Sequence, residues 1–470
     1  MSLTADAAAT LQPGFPGTDV PDWLVRAHAG GLVSVCLYGD NVAGPDGLAG
    51  LCAGLHERMP GVLLAVDEEG GDVTRLHYPA GSTAVGNAVL GRLDDPATTR
   101  AVAAGIGHEL TALGIGLDLA PDVDVNSSPD NPVIGVRSFG DDPALVARHA
   151  AAWVEGLQST GVGACAKHFP GHGDTVVDSH HGLPRVDVTV EVLRERELAP
   201  FRAAVDAGVA AVMTSHIIVS ALDPDHPATF SRTVIGVLRD ELGFDGVVVS
   251  DALDMAGASA DTGIPEAAVR ALVAGVDLLC LGSGTAPETY DAVHTAIVSA
   301  VHAGRLPEQR VTEAAARVRS LASTTAQRMP RPGIHTDVTS ATLPGETVAR
   351  AFRVSDAARA WLASPAPLAV VQVGSTANLA VGGVSWGPAA LGATVAATAV
   401  PAGARVAVVG RAVGAGHPAL TVVDRLRAAG HDVVLVECGW PRGGADIETY
   451  GGSPAVARAL LALLHGEVGP

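Results

Sequence analysis

The 470 residues are 48% hydrophobic and 17% charged, a balance that supports a sizeable buried core and excludes a disordered chain. The length exceeds one ordinary domain, so two or three are expected. A formal net charge of −20 repels phosphate backbones and anionic headgroups, so neither nucleic acid nor a membrane surface is expected as a partner.

In chain order, Met1 to Asp19 shows no basic stretch ahead of an apolar run, so no secretory signal is expected. No apolar run reaches the roughly 18 residues of a membrane span. The five cysteines, Cys36, Cys52, Cys165, Cys280 and Cys438, are scattered and form no Cys-x-x-Cys pair. They read as buried reduced thiols of a cytoplasmic protein. Short apolar runs predict strands at Leu32–Leu37, Val62–Val66, Ile115–Leu119, Val162–Ala166, Ala210–Met213, Val247–Val249 and Val276–Leu281. Helical patterns fall between them, at Pro96–Leu113, Pro143–Thr160, Val190–Ala207, Ser231–Leu242 and Pro265–Ala274. Alternating strands and helices with continuously apolar strands imply a parallel sheet covered by helices. Asp67, Asp122, Lys167, His168, Ser215, His216 and Asp251 all fall at the C-terminal ends of these strands. That is the face on which barrels build active sites, so an α/β fold with a (β/α)8 TIM-like barrel is expected. The eighth strand has no clear place in the sequence.

Met329-Pro330-Arg331-Pro332-Gly333 ends the last helix of this region and reads as a linker. Residues 1–328 are therefore expected to form the barrel, 329–345 the linker, and 346–470 a smaller α/β sandwich. Its strands are expected at Pro367–Gly374, Arg405–Gly410 and Asp432–Cys438, and its helices at Pro418–Ala429 and Pro454–His465. Each of these helices opens on a proline, where the missing N–H costs nothing. Val408 to Gly414 is too loose for a phosphate-binding fingerprint, so no cofactor is expected.

Titratable residues are densest at Lys167-His168-Phe169-Pro170-Gly171-His172-Gly173-Asp174-Thr175 and Asp178-Ser179-His180-His181-Gly182-Leu183-Pro184. Such density on a loop fed by a buried strand usually serves chemistry. His168 and His172 have a metal-like spacing, but Pro170 and Gly171 oppose the helix that would put both on one face. No metal is expected. In an extended loop, residues two apart point to one side, so Asp178 can reach His180. An imidazole titrating near neutrality can both give and take a proton, and a carboxylate beside it fixes its tautomer. Asp251 follows Gly246-Val247-Val248-Val249-Ser250; on spacing alone it is equally a helix N-cap or a reactive carboxylate.

These segments resemble the signature of glycoside hydrolase family 3, in its bacterial β-N-acetylglucosaminidase branch. The likeness runs from about Leu11 to Val318. It implies that Asp251 is the nucleophile, with His180 the acid/base and Asp178 its partner. Ala65-Val66-Asp67-Glu68-Glu69-Gly70-Gly71-Asp72-Val73-Thr74-Arg75 is similar to a family segment in which Asp67 and Arg75 hold the sugar. Asp72 stands where the family usually has arginine. Glu68, Glu69 and Asp72 read as a solvated acidic turn. Gly135-Val136-Arg137-Ser138-Phe139-Gly140 is similar to another segment, and Arg137 would reach the sugar with its donor fork. Lys167 and His168 would bind sugar hydroxyls, while His172 and Asp174 brace the loop. Asp122 is expected to hydrogen-bond structurally and His216 to sit behind the pocket wall.

The implied activity is a retaining exo-β-N-acetylglucosaminidase, free of cofactor and metal. Its partner would be a small carbohydrate from muropeptides or chitin, and the chain would act as a monomer or homodimer. The second domain would not need to supply chemistry. Two rivals stay open at this point: a phosphorylase, since a neutral histidine repels phosphate less than a carboxylate would, and a non-catalytic sugar-binding protein.

Overall fold

The computed structural model describes residues 2–175, 183–260, 262–329, 341–375 and 380–469. Six strands form one parallel sheet in sequence order: β2 (Ser34–Leu37), β3 (Leu63–Val66), β4 (Leu117–Asp118), β5 (Gly163–Phe169), β6 (Ala211–Thr214) and β7 (Val247–Val249). The strand expected at Val276–Leu281 is shorter, β8 (Leu279–Cys280), and pairs in parallel with β1 (Leu11–Gln12). The sheet curls so that hydrogen bonds run on past its edges. Val249 bridges Leu278, the Ser250 N–H donates to the Leu278 carbonyl at 2.9 Å, and the Cys36 N–H of β2 donates to the Pro13 carbonyl at 3.0 Å. β1 has no signature in the sequence because two residues carry no period.

Alternation along each strand divides the apolar side chains into two sets. Cys36, Leu63, Ala65, Leu117, Cys165, Ala211, Met213, Val247 and Val249 cluster on the inner side of the curl, together with Val318, Leu321 and Ala322 of the helix Glu308–Arg328. Val35, Leu37, Leu64, Val66, Ala166, Val212 and Val248 belong to the larger core formed with the surrounding helices. Both sides are dry, which is why the strands read as unbroken apolar runs.

The segments around Val190–Ala207 and after Ala166 differ from expectation for physical reasons. The segment expected as one helix over Val190–Ala207 has a π-helical stretch at Leu193–Glu197 before Leu198–Asp206. Pro200 cannot donate to the carbonyl of Arg196, and a π-bulge absorbs such a break in the ladder. Strand β5 does not stop at Ala166 but continues through Lys167 and His168, with a register shift against β6 between Ala166 and Phe169. Lys167, His168 and Phe169 are thus strand residues, and Pro170 begins the turn.

The C-terminal sheet has the order β9-β13-β12-β11-β10: β9 (Arg353–Val354), β10 (Leu368–Gln372), β11 (Arg405–Gly410), β12 (Asp432–Glu437) and β13 (Ile447–Glu448). β9 runs antiparallel and the others parallel. The short strands β9 and β13 carried no sequence signal. The two sheets' layers meet at Asp72, which is buried rather than solvated. Its carboxylate accepts the Gly452 N–H at 3.0 Å and pairs with Arg411 at 3.2 Å. The residue that departs from the family pattern is therefore used to dock the C-terminal unit.

The helices Pro96–Ala112 and Pro143–Gln158 pack side by side, and Gly156 of one lies against the backbone of Arg100 of the other. A Cβ there would run into the carbonyl oxygen of Arg100. Overpacking at such a point costs about 1–3 kcal/mol, more than the helix propensity that alanine adds. Gly156→Ala is expected to lower the calorimetric melting temperature by several degrees. An unchanged or higher value would mean that the helices do not approach this closely.

Candidate active site

The strand ends bring Asp67, Arg75, Arg137, Lys167, His168 and Asp251 to the lining of one pocket, with Glu69, Val73, Met213 and Met255. These are six of the eight residues expected from the sequence; Asp178 and His180 lie outside the described residues. Asp67 ends the chain segment leaving β3, and Glu69 lies two residues on, pointing to the same side. Lys167 meets both, its Nζ donating to Asp67 Oδ1 at 2.7 Å and approaching Glu69 Oε1 at 2.8 Å.

Glu69 corrects the reading of a solvated turn. Its side chain is 2% exposed and accepts a two-pronged clamp from Arg137, Nε at 2.9 Å and Nη2 at 2.7 Å. Burial pushes the Glu69 carboxyl up, but the charges of Arg137 and Lys167 outweigh it and hold it well below the usual range. Burial likewise works against the Lys167 ammonium, and Asp67 and Glu69 outweigh it. Glu68 is also buried. Its Oε2 accepts the N–H groups of Arg75 and Leu76, both at 2.9 Å, and the Thr74 hydroxyl at 2.8 Å, so it fastens the turn.

Asp124 was missed by the sequence reading. Its Oδ2 accepts His168 Nδ1–H at 2.7 Å and its Oδ1 accepts the His172 N–H at 2.7 Å. With Nδ1 donating, His168 Nε2 is the acceptor for Arg137 Nη2 at 3.2 Å. The donor fork of Arg137 is therefore largely engaged by Glu69 and His168. Arg75 differs from expectation in the same way: its Nη2 donates to the Ala380 carbonyl of the C-terminal unit at 2.9 Å. Both arginines border the pocket while holding protein groups. The usable signal for Asp124 was Asp122-x-Asp124 at a strand end, a repeat of the Asp67-x-Glu69 spacing.

Asp122, Asp124 and His168 offer ligand atoms within 4.8 Å of one another. His168 is thus grouped with these two carboxylates, not with His172 as the spacing considered for metal would have it. The short His168–Asp124 hydrogen bond accounts for this grouping, and burial with the neighbouring Asp124 pushes the Asp122 carboxyl well above the usual range. His172 is buried, which lowers it to about 4, so its ring is neutral at physiological pH. Asp174 braces the turn as expected, accepting from Arg196 at 2.8 Å and Ser127 at 3.2 Å. Asp251 follows β7, its Oδ1 accepting the Ala252 N–H at 2.8 Å. His216, fully buried behind it, hydrogen-bonds the Ala252 carbonyl at 3.0 Å and so fastens the segment that carries Asp251.

The family model described as the glycosyl hydrolase family 3 N-terminal domain matches residues 14–321. The chain belongs to glycoside hydrolase family 3. Among family relatives, it is 34% identical over 343 residues to beta-hexosaminidase A of Pseudoalteromonas piscicida, a match spanning 67% of this chain and 56% of that protein. It is 38% identical over 300 residues to the beta-hexosaminidase of Alkalilimnicola ehrlichii, spanning 60% of this chain and 82% of that one. The structure of a glycoside hydrolase family 3 β-N-acetylglucosaminidase from Paenibacillus sp. str. FPU-7 superposes with a TM-score of 0.86 at 30% identity, covering 100% of this chain and 97% of that one. The α/β fold with a curled parallel sheet is thus the fold of this family.

Removing one partner of a buried ion pair strands the other, typically at a cost of about 3–5 kcal/mol. Glu69→Ala is expected to depress the melting temperature and to lower kcat/KM on an aryl glycoside. A variant with both values unchanged would show that the clamp carries no weight.

Proposed function

We propose that the protein is a retaining exo-β-N-acetylglucosaminidase that removes a terminal β-linked N-acetylglucosamine from muropeptide- or chitin-derived oligosaccharides. The observation that carries the reading is the convergence of Asp251 with the Asp67–Lys167–Glu69 cluster in one pocket. A carboxylate is thereby set opposite groups able to hold sugar hydroxyls. Family membership and the similarity to proteins named beta-hexosaminidase supply the sugar class.

In this mechanism the Asp251 carboxylate attacks the anomeric carbon as the bond to the glycosidic oxygen breaks. His180 gives its proton to the departing oxygen. Water then attacks the glycosyl-aspartate, His180 takes a proton from it, and Asp251 leaves as carboxylate. Asp178 orients and tunes the imidazole. Asp67 accepts hydrogen bonds from hydroxyls, and Lys167 and His168 complete the sugar's surroundings with Arg75 and Arg137 at the border.

We read the curled sheet as a (β/α)8 barrel, a reading supported by the hydrogen bonds that continue from β7 to residue 278 and from residue 13 to β2. Residues 1–328, 329–345 and 346–470 then form barrel, linker and sandwich. No described helix is long and apolar enough to cross a membrane. The five cysteines are free and buried, which supports a reducing, cytoplasmic setting.

Asp251→Ala should reduce turnover of an aryl β-N-acetylglucosaminide to background with the fold retained. His180→Ala should slow substrates with basic leaving groups by roughly a hundred- to ten-thousand-fold and nitrophenyl substrates far less. With the nitrophenyl substrate, azide should restore its turnover, since an anionic nucleophile needs no base. The measurement is a leaving-group series on both variants, with products analysed with and without phosphate. A uniform loss across the series without azide rescue would remove His180 from the acid/base role. Sugar 1-phosphate as product would replace hydrolysis by phosphorolysis.

A further inference from the structure

We propose that a cleft between the helices Leu3–Ala9, Asp22–Ala29 and Pro287–His302 is a second carbohydrate-binding site, which holds a neutral β-1,4-linked N-acetylglucosamine chain. The inference goes beyond the reaction assigned to the Asp251 pocket; only the choice of sugar rests on that reading.

The cleft has a volume of about 340 Å³, within the range of small-molecule sites. Trp23 and Arg26 reach it from the helix that follows β1, and Tyr290, Asp291 and His294 from the helix that follows β8. The loops leading into these two helices are tied together, the Gly14 N–H donating to the Gly282 carbonyl at 3.1 Å. Gly14 also lies against the ring of Tyr38, which lines the Asp251 pocket together with Cys280 of β8. The same strand ends therefore serve both pockets, yet the two share no lining residue.

Its chemistry suits a sugar. Three rings stand side by side: Trp23 and Tyr290 with centroids 5.6 Å apart, and Tyr290 and His294 at 6.3 Å with planes 14° apart. Trp23 is half-buried, so part of its indole is left for the C–H face of a pyranose. Beside the rings stand two exposed charged groups, Arg26 and Asp291. Among the described residues neither has a hydrogen-bond or ion-pair partner. Asp22, one turn before Arg26, is taken by Arg58 at 2.5 Å. His294 Nε2 donates to the Thr4 carbonyl at 2.9 Å, which leaves Nδ1 of the neutral ring as an acceptor. One cation and one anion give the lining no net charge, so a charged ligand would meet a like charge. A neutral polyhydroxyl chain uses both: Asp291 accepts from hydroxyls, and Arg26 donates to hydroxyl or acetamido oxygens. The cleft is open at the surface and can take an internal ring of a long chain. A chain held there raises the concentration of its ends at the Asp251 pocket.

The test is electrophoresis in native gels that contain fully N-acetylated glycol chitin, with kcat/KM on an aryl N-acetylglucosaminide measured beside it. The polymer offers many internal rings and few chain ends, so retardation reports on the cleft rather than on the Asp251 pocket. The wild type should be retarded. Trp23→Ala should weaken the binding by roughly tenfold or more. Arg26→Ala and Asp291→Ala remove exposed side chains without partners, so both should fold as the wild type does. Each should weaken the binding by roughly three- to tenfold. All three variants should keep the wild-type kcat/KM on the aryl substrate. A wild type that is not retarded, or variants retarded as strongly as the wild type, overturns the site. Loss of retardation and of aryl turnover in parallel in the two surface variants overturns it as well, since the cleft would then not be a separate site. Retardation without any aryl turnover overturns the glycosidase reading and leaves the cleft standing.

Discussion

A carboxylate with 2% of its side chain exposed, Glu69, holds two cations that arrive from different parts of the chain. Lys167 comes from the end of β5 and Arg137 from the segment after β4, and both are buried against it. Around this one anion the strand ends are fixed relative to one another. Lys167 is delivered to Asp67, and Arg137 is delivered to His168, whose other nitrogen is held by Asp124. The pocket is consequently a rigid alternation of charges, assembled before any ligand enters.

This arrangement changes what the arginines do. A sequence motif presents Arg75 and Arg137 as hands for a sugar, but in the structure each is largely occupied by protein acceptors. They act as struts whose remaining surface borders the pocket. Asp72 shows the same economy of roles at the junction of the two sheets, where a carboxylate in an unusual place binds the C-terminal unit through Arg411 and Gly452. The turn from Asp67 to Arg75 is thus gripped from both sides, by Lys167 at the end of β5 and, from the C-terminal unit, by Arg411 and Gly452 on Asp72 and by Ala380 on Arg75.

Much of this was legible in the sequence because the parallel strands are buried on both faces and read as apolar runs, and because charged residues at their ends stand out against them. Asp67, Lys167, His168 and Asp251 were found in that way and share a pocket. What was missed had a physical reason in each case. Glu69 read as a surface acid and Asp124 drew no reading because a buried carboxylate is recognised by its partner, and the partners Arg137 and His168 lie 68 and 44 residues away in the chain. The strands Leu11–Gln12, Arg353–Val354 and Ile447–Glu448 are too short to show a period. The strand end at Lys167–His168 was taken for a loop because its polar composition outweighs the backbone pattern that a sequence does not display.

The central claim, that Asp251 is the group to which the sugar is transferred, is tested most directly by trapping. A 5-fluoro N-acetylglucosaminyl fluoride forms the glycosyl-enzyme quickly, because fluoride leaves well, and releases it slowly, because the ring fluorine disfavours the oxocarbenium-like transition state. Intact mass and peptide mapping of the wild-type protein then locate the label. The account predicts one sugar per chain, on the peptide that contains Asp251. A label on another carboxylate, or hydrolysis with inverted stereochemistry and no label, would contradict it.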